Sequence, residues 1–156
     1  MKIIFGCSSS IPSRIIQFRT KCEWSHVGIV DGDHVIHAAG IRPLKFILVL
    51  LSIIPNALKL GGVRRTPISE FLKSYTKTQV AYIDGNINIA LDMVDRVMYD
   101  AVGVLGLFFG RSIGCHEKMS CAKMLWLCAD HADDEFADRA TPQMILAIIP
   151  DKKMPH

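Results

Sequence analysis

The chain of 156 residues has no basic run longer than a pair, such as Arg64-Arg65 or Lys152-Lys153, no CxxC spacing, no HExxH and no repeat or low-complexity stretch. Each absence removes a class of function. Without a basic stripe, and with a formal net charge of only +3, the chain does not read as a nucleic-acid binder. The five cysteines, Cys7, Cys22, Cys115, Cys121 and Cys128, are odd in number and scattered. They match neither a disulfide framework nor a structural zinc site, and reduced thiols in a cytosol-like compartment are the expectation. The six histidines lack zinc-protease spacing, so neither a metal nor a cofactor is expected.

Long apolar runs are missing too. Phe46 to Ile54 is nine residues interrupted by Ser52, whereas a spanning helix needs roughly 17 to 25 apolar residues. Widening the window to Leu44 to Leu60 admits Lys45, Pro55, Asn56 and Lys59. The segment reads as a buried helix or strand, or as an interfacial or substrate-facing lid making peripheral lipid contact. The opening MKIIFGC offers one positive charge and three apolar residues before Gly6, far short of the roughly 7 to 15 of a secretory signal core. A cytoplasmic location is expected, with delivery elsewhere by another route left open. Half of the residues are hydrophobic and 21% are charged, the balance of a single compact domain over residues 1–156. A mean hydropathy of +0.28 then leaves a membrane protein, a cysteine scaffold or a thiol enzyme, and the absences above leave the thiol enzyme.

Several elements can be read from pattern. Ile3 to Phe5 is a short strand. His26 to Val30 and Asp33 to His37 are rich in Val and Ile and flank Asp31-Gly32, a strong hairpin signal. With Asp31 and Gly32 as the loop of a type I′ turn, Val30 faces Asp33, Ile29 faces His34, Gly28 faces Val35, Val27 faces Ile36 and His26 faces His37. Directly opposed residues share a face, so two imidazoles meet at the open end of the hairpin, with Gly28 leaving room. His34 projects from the opposite face.

Further along, Thr66-Pro67 reads as the cap and first turn of a helix reaching Phe71 to Tyr75, and Gln79 to Asp84 as a strand. Apolar spacing predicts an amphipathic helix over Ile89 to Val102, followed by a loop loosened by Gly103, Gly106 and Gly110. Ser120 is placed to cap a helix running to His131, whose buried stripe includes Cys121, Met124, Leu125 and Cys128. Thr141-Pro142 repeats the cap signature before Met144 to Ile149. Cys121 stands in a first helical turn, where unpaired N–H groups and the dipole favour a thiolate and can hold an oxyanion. Cys128 lies deeper in the same helix and reads as core, while Cys7, Cys22 and Cys115 have no comparable setting.

The ordered set of these motifs resembles one family. Trp24-Ser25-His26-Val27-Gly28-Ile29-Val30 followed by Val35-Ile36-His37-Ala38 is similar to the histidine hairpin of permuted papain-like hydrolases of the NlpC superfamily, relatives of the lecithin:retinol acyltransferase-like enzymes. Gly62-Val63 with Pro67-Ile68 and Phe71-Leu72, Tyr99-Asp100, Ser120-Cys121 and Thr141-Pro142 extend the likeness over nearly the whole chain. It implies an α+β, circularly permuted papain-like fold, with a small antiparallel sheet or half-barrel packed against helices. It also implies Cys121 as nucleophile, His26 as general base and acid, and His37 as the polar residue orienting His26.

Family members often carry Glu or another polar residue shortly after the cysteine; here Ala122 and Lys123 follow, a difference that bears on substrate class. Trp24 and Ser25 are the candidate substrate-binding residues. The expected activity is hydrolysis of an amide or isopeptide bond in a peptide-like or acyl substrate, through a thioester. A lipid-directed acyltransferase or esterase with the same site, and a binding module without turnover, are the alternatives.

Overall fold

The computed structural model describes residues 1–40, 61–99, 119–130 and 134–149. The segment Phe46 to Ile54, the glycine-rich loop, Cys115, His116, His131 and Asp100 lie outside them. The described chain forms β1 (Lys2–Cys7), α1 (Ile11–Thr20), β2 (His26–Asp31), β3 (His34–Ala39), β4 (Gly62–Pro67), α2 (Ile68–Lys73), β5 (Lys77–Tyr82), α3 (Ile87–Met93), α4 (Cys121–Cys128), α5 (Asp134–Ala137) and α6 (Pro142–Ala147). The strands make one antiparallel sheet in the order β4-β3-β2-β1-β5. The architecture is α+β.

Strand alternation gives the sheet two apolar faces. On the first, Ile3, Phe5, Val27, Ile29, Ile36, Ala38, Val63 and Ala81 join the main core with Met124, Leu125 and Cys128 of α4 and Ile145 of α6. On the second, Ile4, Val35 and Phe71 form a smaller cluster flanked by Val30, Ile68, Tyr75 and Val80. Helix α4 packs on β2 and β3 and is itself flanked by α3, α5 and α6. Cys121, Met124, Leu125 and Cys128 are buried as expected, and Ala122, Lys123 and Trp126 are buried as well, so the helix is covered on more than one side. Ser120 caps it, its Oγ accepting the Lys123 N–H at 3.1 Å, and Thr141 caps α6 in the same way from Met144.

Four expectations are corrected. The hairpin loop is Gly32-Asp33, because Asp31 pairs with His34, Val30 with Val35 and Ile29 with Ile36. Gly32 has φ of 59° and Asp33 is not in the left-handed region, a pattern that fits glycine first in a type II′ turn and excludes type I′. Two contacts hold this register. Asp31 is kept in the strand by an ion pair with Arg65 at 2.8 Å, and the Asp33 carbonyl accepts the Ile68 N–H at 2.9 Å.

The second correction concerns Thr66, which lies in β4 opposite Val35 and does not cap α2. Pro67 occupies that N-cap position, and no side chain caps it. Third, the helix expected over Ile89 to Val102 starts earlier and stops at Met93. Asp95 turns through φ of 59°, and the following segment bonds the edge of β4, with Val63 N–H donating to Val97 and Tyr99 N–H to Gly61. Pairing of a free sheet edge outweighs helical periodicity there. Fourth, α4 ends at Cys128, because Ala129 is extended and bridges Gly85. Helix α1 was not anticipated. Its signal was Ser10 before Ile11-Pro12, with the Ser10 Oγ accepting the Ser13 N–H.

Candidate active site

A shift of the loop by one residue moves every partner across the hairpin by two, so each side chain keeps its face. Continuing the observed register places His37 opposite Gly28 and makes His26 its diagonal neighbour on the same face. The imidazoles still meet: His26 Nε2 and His37 Nδ1 are 2.9 Å apart, with the rings at 88° to one another. Gly28 makes this possible. A Cβ there would lie 2.5 Å from Val35 Cγ1, 3.1 Å from the Ile36 carbonyl oxygen and 3.2 Å from His37 Cβ.

The other ring nitrogen of His37, Nε2, is 3.0 Å from Thr66 Oγ1. Three polar side chains from three adjacent strands therefore form one chain. Apolar rings enclose it: Tyr75 stacks on His26 at 15°, and Phe71 meets His37 edge-on at 5.2 Å. Arg64, opposite His37 in β4, supplies the nearby positive charge.

Cys121 comes from the first face. The ladder between β2 and β3 runs no further than Ile29 and Ile36, whereas β1 follows β2 down to His26. At this parted end of the hairpin the Val27 N–H, next along the strand from His26, is directed at the Cys121 sulfur, as are the N–H groups of Cys121 and Ala122. The charge of a Cys121 thiolate reaches Tyr75 on the second face.

Burial is the largest influence on each titrating group. It pushes the Cys121 thiol up, partly offset by those three N–H groups. It holds His26 well below the usual imidazole range, with His37 and Arg64 adding to the effect. It lowers His37 to about 4, again with help from Arg64. Both components thus favour the neutral thiol and neutral imidazole over a standing ion pair. The opposing pull expected of the helix N-terminus is present but is the smaller effect.

The remaining candidates separate cleanly. Trp24 is 1% exposed and packs on Phe5 at 5.8 Å with the Lys77 ammonium 5.0 Å from its ring. Ser25 is buried, and its N–H and Oγ both donate to the Gly6 carbonyl, at 3.1 and 3.4 Å. Both residues hold the approach to His26 together from within the protein. His34 pairs with its neighbour Asp33 at the surface. Cys128 is buried and pushed up to about 12 by desolvation, and Cys7 accepts a hydrogen bond from Gln17. Lys123, one of the residues that depart from the family pattern, is buried in an ion pair with Asp138. Thr66 is the site residue that sequence pattern missed, since Thr-Pro is also the signature of a helix start.

Among the described residues, no group of three or more His, Cys, Asp or Glu is placed to hold a metal ion. No helix among them is long and apolar enough to cross a membrane. Residues 2–146 match the family model described as "Permuted papain-like amidase enzyme, YaeF/YiiX, C92 family". No curated protein sequence matches the chain.

Proposed function

Because the chain belongs to the permuted papain-like amidase family and is a cysteine hydrolase, we propose that Cys121, His26 and His37 are its catalytic set and that it cleaves an amide or isopeptide bond through a thioester. The observation that carries this reading is the His26–His37 hydrogen bond of 2.9 Å, one residue along β2 from the amide that meets the Cys121 sulfur. With Nε2 of His26 engaged by His37, Nδ1 is the nitrogen left to take the thiol proton.

Both groups start neutral, so proton transfer from Cys121 to His26 accompanies attack of sulfur on the acyl carbon. The carbonyl π bond opens to an oxyanion, and the N–H groups of Val27, Cys121 and Ala122 are the donors nearest the sulfur to receive it. The imidazolium then gives its proton to the leaving amine as the C–N bond breaks, leaving the thioester. Water, deprotonated by neutral His26, attacks that thioester; the C–S bond breaks and the thiol recovers its proton. Desolvation and the nearby Arg64 charge favour return of the proton from the imidazolium, which suits a base that must turn over.

The test is an electrophilic thiol probe followed by peptide mass analysis of the intact protein. A mass shift on Cys121 that survives Cys128→Ala and is lost in His26→Ala is the expected result. Labelling confined to Cys128 or Cys7, or labelling of Cys121 unchanged in His26→Ala, would overturn the assignment. Trapping an acyl group on Cys121 with a slowly hydrolysed amide or ester then separates hydrolysis from acyl transfer by the acceptor that releases it.

A further inference from the structure

We propose that Thr66 is a positioning residue: its hydroxyl accepts a hydrogen bond from the Nε2–H of His37 and thereby fixes which nitrogen of His26 is free to act as the base. The inference rests on the assignment of His26 as the base for Cys121 and adds to it a residue and a direction.

A neutral imidazole has one N–H and one lone pair. The contact between His26 Nε2 and His37 Nδ1, at 2.9 Å, therefore holds one proton, and the two possible orders of the chain have opposite consequences. In the first, His26 carries its proton on Nε2 and donates it to His37 Nδ1. His37 must then be protonated on Nε2, and that N–H donates to Thr66 Oγ1, 3.0 Å away. His26 Nδ1 is left with a lone pair for the thiol proton. In the second order, Thr66 donates to His37 Nε2, His37 Nδ1–H donates to His26 Nε2, and His26 is protonated on Nδ1, where it cannot take a proton. Only the first order serves catalysis, and it needs an acceptor at the Thr66 end.

Thr66 is rigidly held for this purpose. It sits in β4 opposite Val35, two residues from Arg64, which is opposite His37, so Arg64, Thr66 and His37 share one sheet face. Its χ1 is restricted by branching at Cβ. Of the charged and titratable groups, Arg64 from β4 acts on both histidines and Tyr75, from the segment between α2 and β5, stacks on His26; Cys121 from α4 acts on Tyr75. Replacing the hydroxyl by a methyl leaves His37 Nε2–H buried without an acceptor, which is costlier than leaving a bare lone pair there. The chain then reverses, and His26 Nδ1 becomes protonated.

The experiment is long-range ¹H–¹⁵N correlation of the imidazole nitrogens in the full chain at neutral pH, with thiol-probe labelling rates measured across pH. In the wild type both His26 and His37 are expected as Nε2–H tautomers, and Thr66→Ser keeps them. Thr66→Val is expected to shift both toward Nδ1–H and to slow labelling of Cys121 by roughly 10-fold or more. The deficit should shrink as pH rises and hydroxide takes over deprotonation, a pattern that simple loss of packing does not produce. An Nδ1–H tautomer at His37 in the wild type, or unchanged tautomers in Thr66→Val, overturns the proposal. An unreactive Cys121 with both wild-type tautomers as stated overturns the catalytic assignment while supporting the hydrogen-bond order.

Discussion

The Tyr75 ring lies parallel to the imidazole of His26, with 15° between their planes and 5.4 Å between centroids. Gly6 is its floor, since a Cβ on Gly6 would sit 2.7 Å from Tyr75 Cδ1. Tyr75 and Phe71 both lie against His26, whose titration burial lowers. Tyr75→Phe should leave the His26 titration where it is, while Tyr75→Ala and Gly6→Ala should move it back toward 6.5. An NMR titration of the His26 ring protons reads this directly, and an unmoved midpoint in Tyr75→Ala would show that other groups provide the burial.

Stability should fall as the solution is acidified through the histidine range. His26 and His37 are both held below 6.5, so under mildly acidic conditions the unfolded chain binds protons that the native chain refuses. Their contribution is complete above pH 6.5 and declines as pH falls, His37 continuing to about 4. For His37 alone the loss reaches up to roughly 3 kcal/mol. Urea midpoints measured from about pH 7.5 down to pH 4.5 test it, and the slope should flatten in His37→Asn. A midpoint independent of pH over that window contradicts the shifts.

Gly28→Ala tests the diagonal contact of the histidines. Its methyl group would meet the Ile36 carbonyl oxygen and the His37 Cβ as well as Val35, and backbone cannot swing aside as a flexible side chain can. A loss of about 1 to 3 kcal/mol is expected, together with weaker coupling between the two imidazoles. Denaturant midpoints and the His37 tautomer signals report the two effects separately. Full stability in Gly28→Ala would mean that the strands can part further at low cost.

Lys123 and Asp138 form an ion pair with side-chain exposures of 7% and 19%. Removing the carboxylate takes the ion-pair partner from a buried ammonium, so Asp138→Asn should cost up to about 3 to 5 kcal/mol, less where other contacts of Lys123 compensate. The double variant Lys123→Met, Asp138→Leu should recover most of that loss, because both charges leave together. Thermal unfolding of the three proteins decides it, and equal stability of Asp138→Asn and wild type would show that other contacts hold the Lys123 ammonium.

The histidine pair was legible because alternation in His26 to Val30 and Asp33 to His37 needs only strand periodicity and a turn, both local properties. The register was not, since Asp31-Gly32 and Gly32-Asp33 are both acceptable loops and the choice is made by Arg65 and Ile68, residues far along the chain. Thr66 was misread for a related reason. A threonine before proline carries the same local signature in a cap and at a strand end, and only its pairing with Val35 distinguishes them. Helix α1 escaped notice because Ile11 and Phe18 are exposed, at 75% and 81%, so it lacks the buried stripe by which periodicity is recognised. Helix α3 was overextended where edge pairing along β4 overrides a pattern that is itself helical. Cys121 was legible as a helix start, from Ser120 and the stripe behind it, whereas its meeting with the Val27 amide depends on how two strands part.

The five strands of the described residues are encoded before residue 83, while the helix that packs on their first face begins at Cys121. On a ribosome adding roughly 5 to 20 residues per second, the sheet is complete for some seconds before α4 emerges. During that interval Phe5, Val27, Ile29 and Ile36 lack the cover that α4 later gives them. The two histidines, 2.9 Å apart across β2 and β3, are encoded before Cys121. Synthesis order thus leaves the first face of the sheet waiting for α4 and Cys121 together.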